Sequence, residues 1–194
     1  MEVNMAALND FSTFDLYSDD SLIFIIDEQE KLVPALLNGQ AAVERTALLL
    51  QAAAELQIPV IKTEQYPKGL GETVEPIKSL CAKVDTACYE KLDFNAISNE
   101  IRTKLRLSGR QRILITGGEA HICVLQTVRA LLKQGYFVFV AADAIASRHQ
   151  FDYDIALKQM RDMGAVITTT ETVIYDWLKQ AGTPAFKHLV KLIK

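Results

Sequence analysis

Residues 111–143 read QRILITGGEAHICVLQTVRALLKQGYFVFVAAD, a stretch that holds two apolar runs and a patterned segment between them. QRILIT and YFVFVAAD are apolar runs of strand length. Between them, CVLQTVRALLKQG carries apolar residues at helical spacing, and Gly135 supplies the stop. A strand, a helix and a strand joined this closely predict a crossover unit whose two strands lie parallel in one sheet.

The same alternation extends in both directions. SLIFIID (21–27) is a continuous apolar run ending in a carboxylate, as expected of a strand buried on both faces. GQAAVERTALLLQAAAELQ (39–57) is a helix resting on Ala and Leu, and IPVIKTEQ (58–65) is a strand with Pro59 at its entry. YPKGLGETVEP (66–76) reads as a loop followed by a short helix. DTACYEK (85–91) is a third strand, followed by a helix from about Asn95 to Leu107 that Ser108 and Gly109 stop. Beyond Asp143, FDYDIALKQMRDMG is a helix, AVITTT a strand, and ETVIYDWL and PAFKHLVKLIK two closing helices. The order predicts a three-layer α/β/α fold: a six-stranded parallel sheet with helices on both faces. One domain is expected over residues 1–194, with 1–20 as an amino-terminal extension and 184–194 as a carboxyl-terminal helix.

Composition excludes several functions. A net charge of −3 supplies no basic surface for nucleic acid, and no apolar run reaches membrane-spanning length. The opening MEVNMAALNDFSTFDLYSDDS is acidic, without Arg or Lys, and does not resemble a targeting peptide, so the cytoplasm is expected. Three cysteines with no paired spacing argue against a disulfide framework. Three scattered histidines form no zinc motif, so neither a metal nor a cofactor is expected.

Ligands of open α/β sheets bind at the carboxyl ends of the strands. Strand one ends there at Asp27, strand three at Lys91, strand four at the glycine pair before Cys123, and strand five at Asp143. An acid, an ammonium and a thiol can therefore converge on one crevice. Each alone has an ordinary reading: Asp27 as a turn cap, Lys91 as a solvated lysine, Cys123 as a small hydrophobe under a helix. A thiol on the first turn of a helix is favoured as thiolate by the free N–H groups there. His121 and Cys123, two helical steps apart, would face different ways, which leaves Asp27 as the base and His121 as a structural residue. Gln29, Tyr66 and Phe94 lie just beyond strand ends and are candidates for lining the crevice. Arg148 stands outside the catalytic set, as a partner for Asp27, Asp143 or a substrate anion. Cys88 reads as packing.

LIFIIDEQE (22–30), YEKLDFNAI (89–97) and GGEAHICVLQTVRALLKQGYFVFVAADAIASR (117–148) resemble the signature regions of the isochorismatase-like cysteine hydrolases. EQYPKGLG (64–71) is similar to the isochorismatase-domain-containing subgroup of that family. The resemblance implies a Rossmann-like sheet and an Asp–Lys–Cys triad at Asp27, Lys91 and Cys123. It also implies an oxyanion hole from the backbone N–H groups of Glu119 and Cys123, reached through a cis peptide between Gly118 and Glu119. The implied chemistry is attack of Cys123 on a carbonyl, with a thioester intermediate on the way to hydrolysis of a small amide, carbamoyl or ureide C–N bond. Nicotinamidases, similar in fold and triad, carry an Asp and His-rich metal site after strand two. Residues 62–76 hold no histidine, so that activity is not expected here. An isochorismatase-like ether hydrolase and a non-catalytic scaffold remain as alternatives. Selective modification of Cys123 over Cys81 and Cys88 at neutral pH would separate an enzyme from a scaffold. The apolar stripe Phe186, Leu189, Val190 and Ile193 near the chain end points to a homo-oligomer, or else to packing on the chain's own sheet.

Overall fold

The structure, a computed structural model, describes residues 11–193; the first ten residues of the expected extension lie outside the described residues. Six parallel strands form one sheet: β1 (Ser21–Ile26), β2 (Val60–Gln65), β3 (Thr86–Lys91), β4 (Arg112–Gly118), β5 (Phe137–Ala146) and β6 (Val166–Thr168). Their spatial order is β3-β2-β1-β4-β5-β6, so the sequence order reverses between β1 and β4.

Among the described residues, eight α-helices accompany the strands: α1 (Gly39–Leu56), α2 (Pro67–Leu70), α3 (Ile77–Cys81), α4 (Asn99–Ser108), α5 (Leu125–Leu132), α6 (Gln150–Asp162), α7 (Thr170–Leu178) and α8 (Pro184–Ile193). Alternate residues of the strands serve opposite layers, because side chains along a strand point to opposite faces. Ile23 and Ile25 of β1 join one core with α1, α7 and α8, whereas Leu22, Phe24 and Ile26 join the other with α4, α5 and α6.

Some boundaries differ from the sequence reading. α4 begins at Asn99 rather than Asn95, because the Ser98 hydroxyl caps Ile101 N–H and the Asn95 side chain takes Ile97 N–H. β5 runs three residues past Asp143 to Ala146, and a register shift opposite Ile115 and Gly117 lets Ile145 and Ala146 pair with Gly117 and Gly118. Gly117 has φ +107, and a Cβ there would overlap the Ile26 carbonyl. Only glycine lets β4 come this close to β1 just before the chain turns into the site.

The apolar stripe of α8 is largely covered by its own chain. Leu189 is fully buried, Phe186 meets the Tyr175 ring edge-on at 6.4 Å, and His188 bonds Glu55 on α1 at 2.9 Å. Phe186 and Ile193 pack against the core that α8 shares with α1 and α7 while remaining partly exposed, and Val190 is partly exposed too.

Candidate active site

The reversal of strand order between β1 and β4 leaves a crevice at the carboxyl edge of the sheet, and three strand ends project side chains into it. Asp27 directly follows β1 in the left-handed backbone region, with φ 52. Its carboxylate Oδ1 accepts from Thr63 Oγ1 at 2.7 Å, and Oδ2 lies 2.6 Å from Lys91 Nζ. Lys91 closes β3, in register with Gln65 at the end of β2. Both charged side chains are withdrawn from solvent, Asp27 at 0% and Lys91 at 7% exposure.

Cys123 approaches from the other side of the reversal. Its Sγ is 3.5 Å from Lys91 Nζ, the same ammonium that pairs with the Asp27 carboxylate. The residue sits on a π-helical turn, Ala120–Val124, ahead of α5, rather than on the first α-turn that the sequence pattern predicts. Val124 N–H donates to Glu119 O, which is the wide spacing that defines such a turn. The turn is pinned where Thr127 Oγ1 donates to Cys123 O at 2.7 Å and accepts from Ala96 N–H at 3.0 Å. The Gly118–Glu119 peptide that leads into it is cis.

The electrostatics differ from the expectation of a resting thiolate. Burial pushes the Cys123 thiol up to about 12; the Asp27 charge pushes in the same direction, while Lys91 opposes it. At neutral pH Cys123 is a thiol held beside a carboxylate. Desolvation and the Asp27 charge outweigh the ammonium. An alkylating reagent meets the exposed Cys88 before the buried Cys123, so bulk thiol reactivity does not report on the site.

The other candidate residues divide. Tyr66 and Phe94 are half-exposed and line neighbouring cavities of about 320 and 680 Å³, which share Glu90, Lys91 and Leu92. Gln29 is fully buried and does not line the crevice. Its Nε2 donates to Gln65 O and Gly71 O, and its Oε1 accepts Gln65 N–H, so its amide is spent on backbone. His121 turns away from Cys123 to Ser147 Oγ at 3.0 Å and towards Asp152 at 3.9 Å. Arg148 pairs with the Glu119 side chain at 2.8 Å, and Asp143 faces Arg45 at 3.7 Å.

Sequence reasoning missed Gln65, whose Oε1 accepts from Lys91 Nζ at 2.5 Å. The available signal was its place as the last residue of β2, on the same edge as Asp27 and Lys91. Among the described residues, no group of three or more His, Cys, Asp or Glu side chains is disposed to hold a metal.

A carboxylate, an ammonium and a thiol thus stand together at the reversal of a parallel sheet. The isochorismatase domain model matches residues 21–172, and the chain belongs to the isochorismatase family. Among its relatives is isochorismatase family protein 1A of Dictyostelium discoideum, 39% identical, with 93% of this chain and 89% of that protein aligned. Among solved structures, MAR1 ribonuclease from Caenorhabditis elegans superposes with a TM-score of 0.85 at 36% identity, covering 92% of each chain. The YcaC gene product of Escherichia coli, described as an octameric hydrolase of unknown specificity, shares the fold at TM-score 0.83 and 20% identity, covering 92% of this chain and 90% of that one.

Proposed function

We propose that the protein is a metal-independent cysteine hydrolase of a small amide, carbamoyl or ureide C–N bond. One observation carries this reading: the buried Lys91 ammonium meets the Cys123 thiol at 3.5 Å and the Asp27 carboxylate, a proton acceptor, at 2.6 Å. Asp27 takes the thiol proton as Sγ bonds the substrate carbonyl carbon, and the carbonyl oxygen becomes an oxyanion. The backbone N–H groups of Glu119 and Cys123 are assigned to that oxyanion by family resemblance. Collapse breaks the C–N bond, and the departing amine takes the proton from Asp27. Water then attacks the thioester, its proton passing to Asp27, and the Sγ–C bond breaks to return the thiol.

The alternative of ether hydrolysis would leave a thiol in contact with a base and a cation without a role. The activity in the name of the C. elegans relative is not carried over, because a net charge of −3 offers little to a polyanion. Three free cysteines suit a reducing compartment. The test is turnover of a panel of amides, carbamates, ureides and a short RNA by wild type and Cys123→Ala in parallel, with and without chelator. Wild type should hydrolyse at least one C–N substrate, untouched by chelator, and Cys123→Ala should not. Equal turnover by the two, or cleavage of the RNA alone, would overturn the reading.

Self-association is proposed on the family resemblance, with the octameric relative in support. A monomer mass by light scattering across micromolar concentrations would remove it.

A further inference from the structure

An ammonium has three hydrogens to give. Around Lys91 Nζ stand five acceptors: Gln65 Oε1 at 2.5 Å, Asp27 Oδ2 at 2.6 Å, Asp93 O at 3.3 Å, and Phe94 O and Cys123 Sγ at 3.5 Å each. The two carbonyls belong to the loop after β3, which carries the exposed Leu92 and Phe94. Which acceptors win decides where the charge sits, because a lysine on four methylenes follows its best partners.

Gln65 is itself held from three sides. Its Nε2 donates to Leu92 O at 2.7 Å, which settles which end of the amide faces Lys91. Its backbone N–H donates to Gln29 Oε1 at 2.7 Å, and its carbonyl accepts from Gln29 Nε2 at 3.0 Å. Gln29 in turn donates to Gly71 O at 2.7 Å, tying the ends of β1 and β2 to the loop beyond. A fixed oxygen therefore waits at the end of β2 for the ammonium.

We propose that Gln65 is a positioning residue that holds the Lys91 ammonium against Asp27 and Cys123. Without that oxygen, a hydrogen of Nζ passes to the Asp93 and Phe94 carbonyls, and the charge shifts away from Sγ towards the loop. The assignment deepens the hydrolase reading and rests on it for its catalytic meaning. With its hydrogens committed inside the site, Lys91 has none left for a substrate anion, which favours neutral amides over carboxylate-bearing ones.

The test is alkylation by chloroacetamide at pH 8, with rates at Cys123 and Cys88 followed separately by peptide mass spectrometry in the full chain. Gln65→Met keeps the length of the side chain and removes the acceptor. Reaction at Cys123 should slow at least about tenfold, as misplacement of a reacting group does, while Cys88 keeps its rate as the internal measure of an intact fold. If Gln65→Met exposes both thiols by unfolding, Gln65→Asn, too short to bridge Lys91 and Leu92, decides on the same readout. An unchanged ratio of the two rates in the folded variant overturns the proposal. On any amide that wild type hydrolyses, the variant should lose kcat and keep KM, a split that a merely structural role would not produce. Alkylation needs no turnover, so an inert substrate panel would undo the hydrolase reading and leave the placement of Lys91 tested.

Discussion

Asp27→Asn should lower turnover by about 10³-fold, within the range that removing a general base costs, and should also destabilise the fold. The first effect follows because Asn keeps the volume but cannot take the proton of the Cys123 thiol. The second follows because Lys91 is 7% exposed and would lose the carboxylate it pairs with at 2.6 Å. Stripping one member from a buried ion pair costs about 3–5 kcal/mol. Cys123→Ser separates the two effects, since it leaves the charges balanced. It should match Asp27→Asn in lost turnover while unfolding close to the wild-type midpoint. Turnover and urea midpoints measured on both variants check this. Near wild-type turnover by Cys123→Ser would move the chemistry away from the thiol and towards ether hydrolysis.

The second large effect lies one residue further on, away from Lys91 and Cys123. Glu28 is almost wholly buried; its Oε1 accepts from Thr46 Oγ1 at 2.6 Å, and its Oε2 has no hydrogen-bond partner. Burial pushes this carboxyl from the ordinary 4.5 up to about 8, against a smaller opposing pull from Thr46. The folded state then holds a proton that the unfolded state has released at intermediate pH. Stability from this group is fully present below about pH 4.5 and is lost as pH rises through about 8. The gap is equivalent to at most about 5 kcal/mol.

Glu28→Gln mimics the protonated acid, keeps an acceptor for Thr46 and cannot ionise. The difference in unfolding free energy between wild type and Glu28→Gln should be near zero at pH 5. It should grow to several kcal/mol in favour of the variant by pH 8.5, as read from urea denaturation at both values. A difference that does not change with pH would show that Glu28 ionises in the fold without penalty.

Much of the architecture was legible from hydrophobic pattern alone. A buried parallel strand has to be apolar on both faces, which is why SLIFIID and QRILIT stand out, and the helices between strands carry one apolar stripe each. Alternation of the two implies crossovers of one hand, and crossovers put strand ends on one edge. Asp27, Lys91 and Cys123 are therefore legible in the sequence as neighbours, because each closes or follows a strand. The resemblance to a known family reached the same residues by their motifs.

What escaped the sequence is whatever depends on distance through space. Periodicity cannot show that a π-turn, rather than an α-turn, carries Cys123, since the two differ by one residue per hydrogen bond. Nor can it show that burial and a carboxylate would outweigh a cation and keep the thiol protonated. Gln29 and Gln65 look equivalent as polar residues at strand ends, yet one is spent on backbone and the other reaches Lys91 Nζ. The stripe on α8 reads the same whether a second copy or α1 and α7 cover it. Which layers form and which chemical groups share the sheet edge could be read from the chain, because side-chain period and strand order are local or combinatorial properties. Which of those groups touch, which are dry and which proton sits where depend on folding in three dimensions, because contact and desolvation belong to residues brought together from distant parts of the chain.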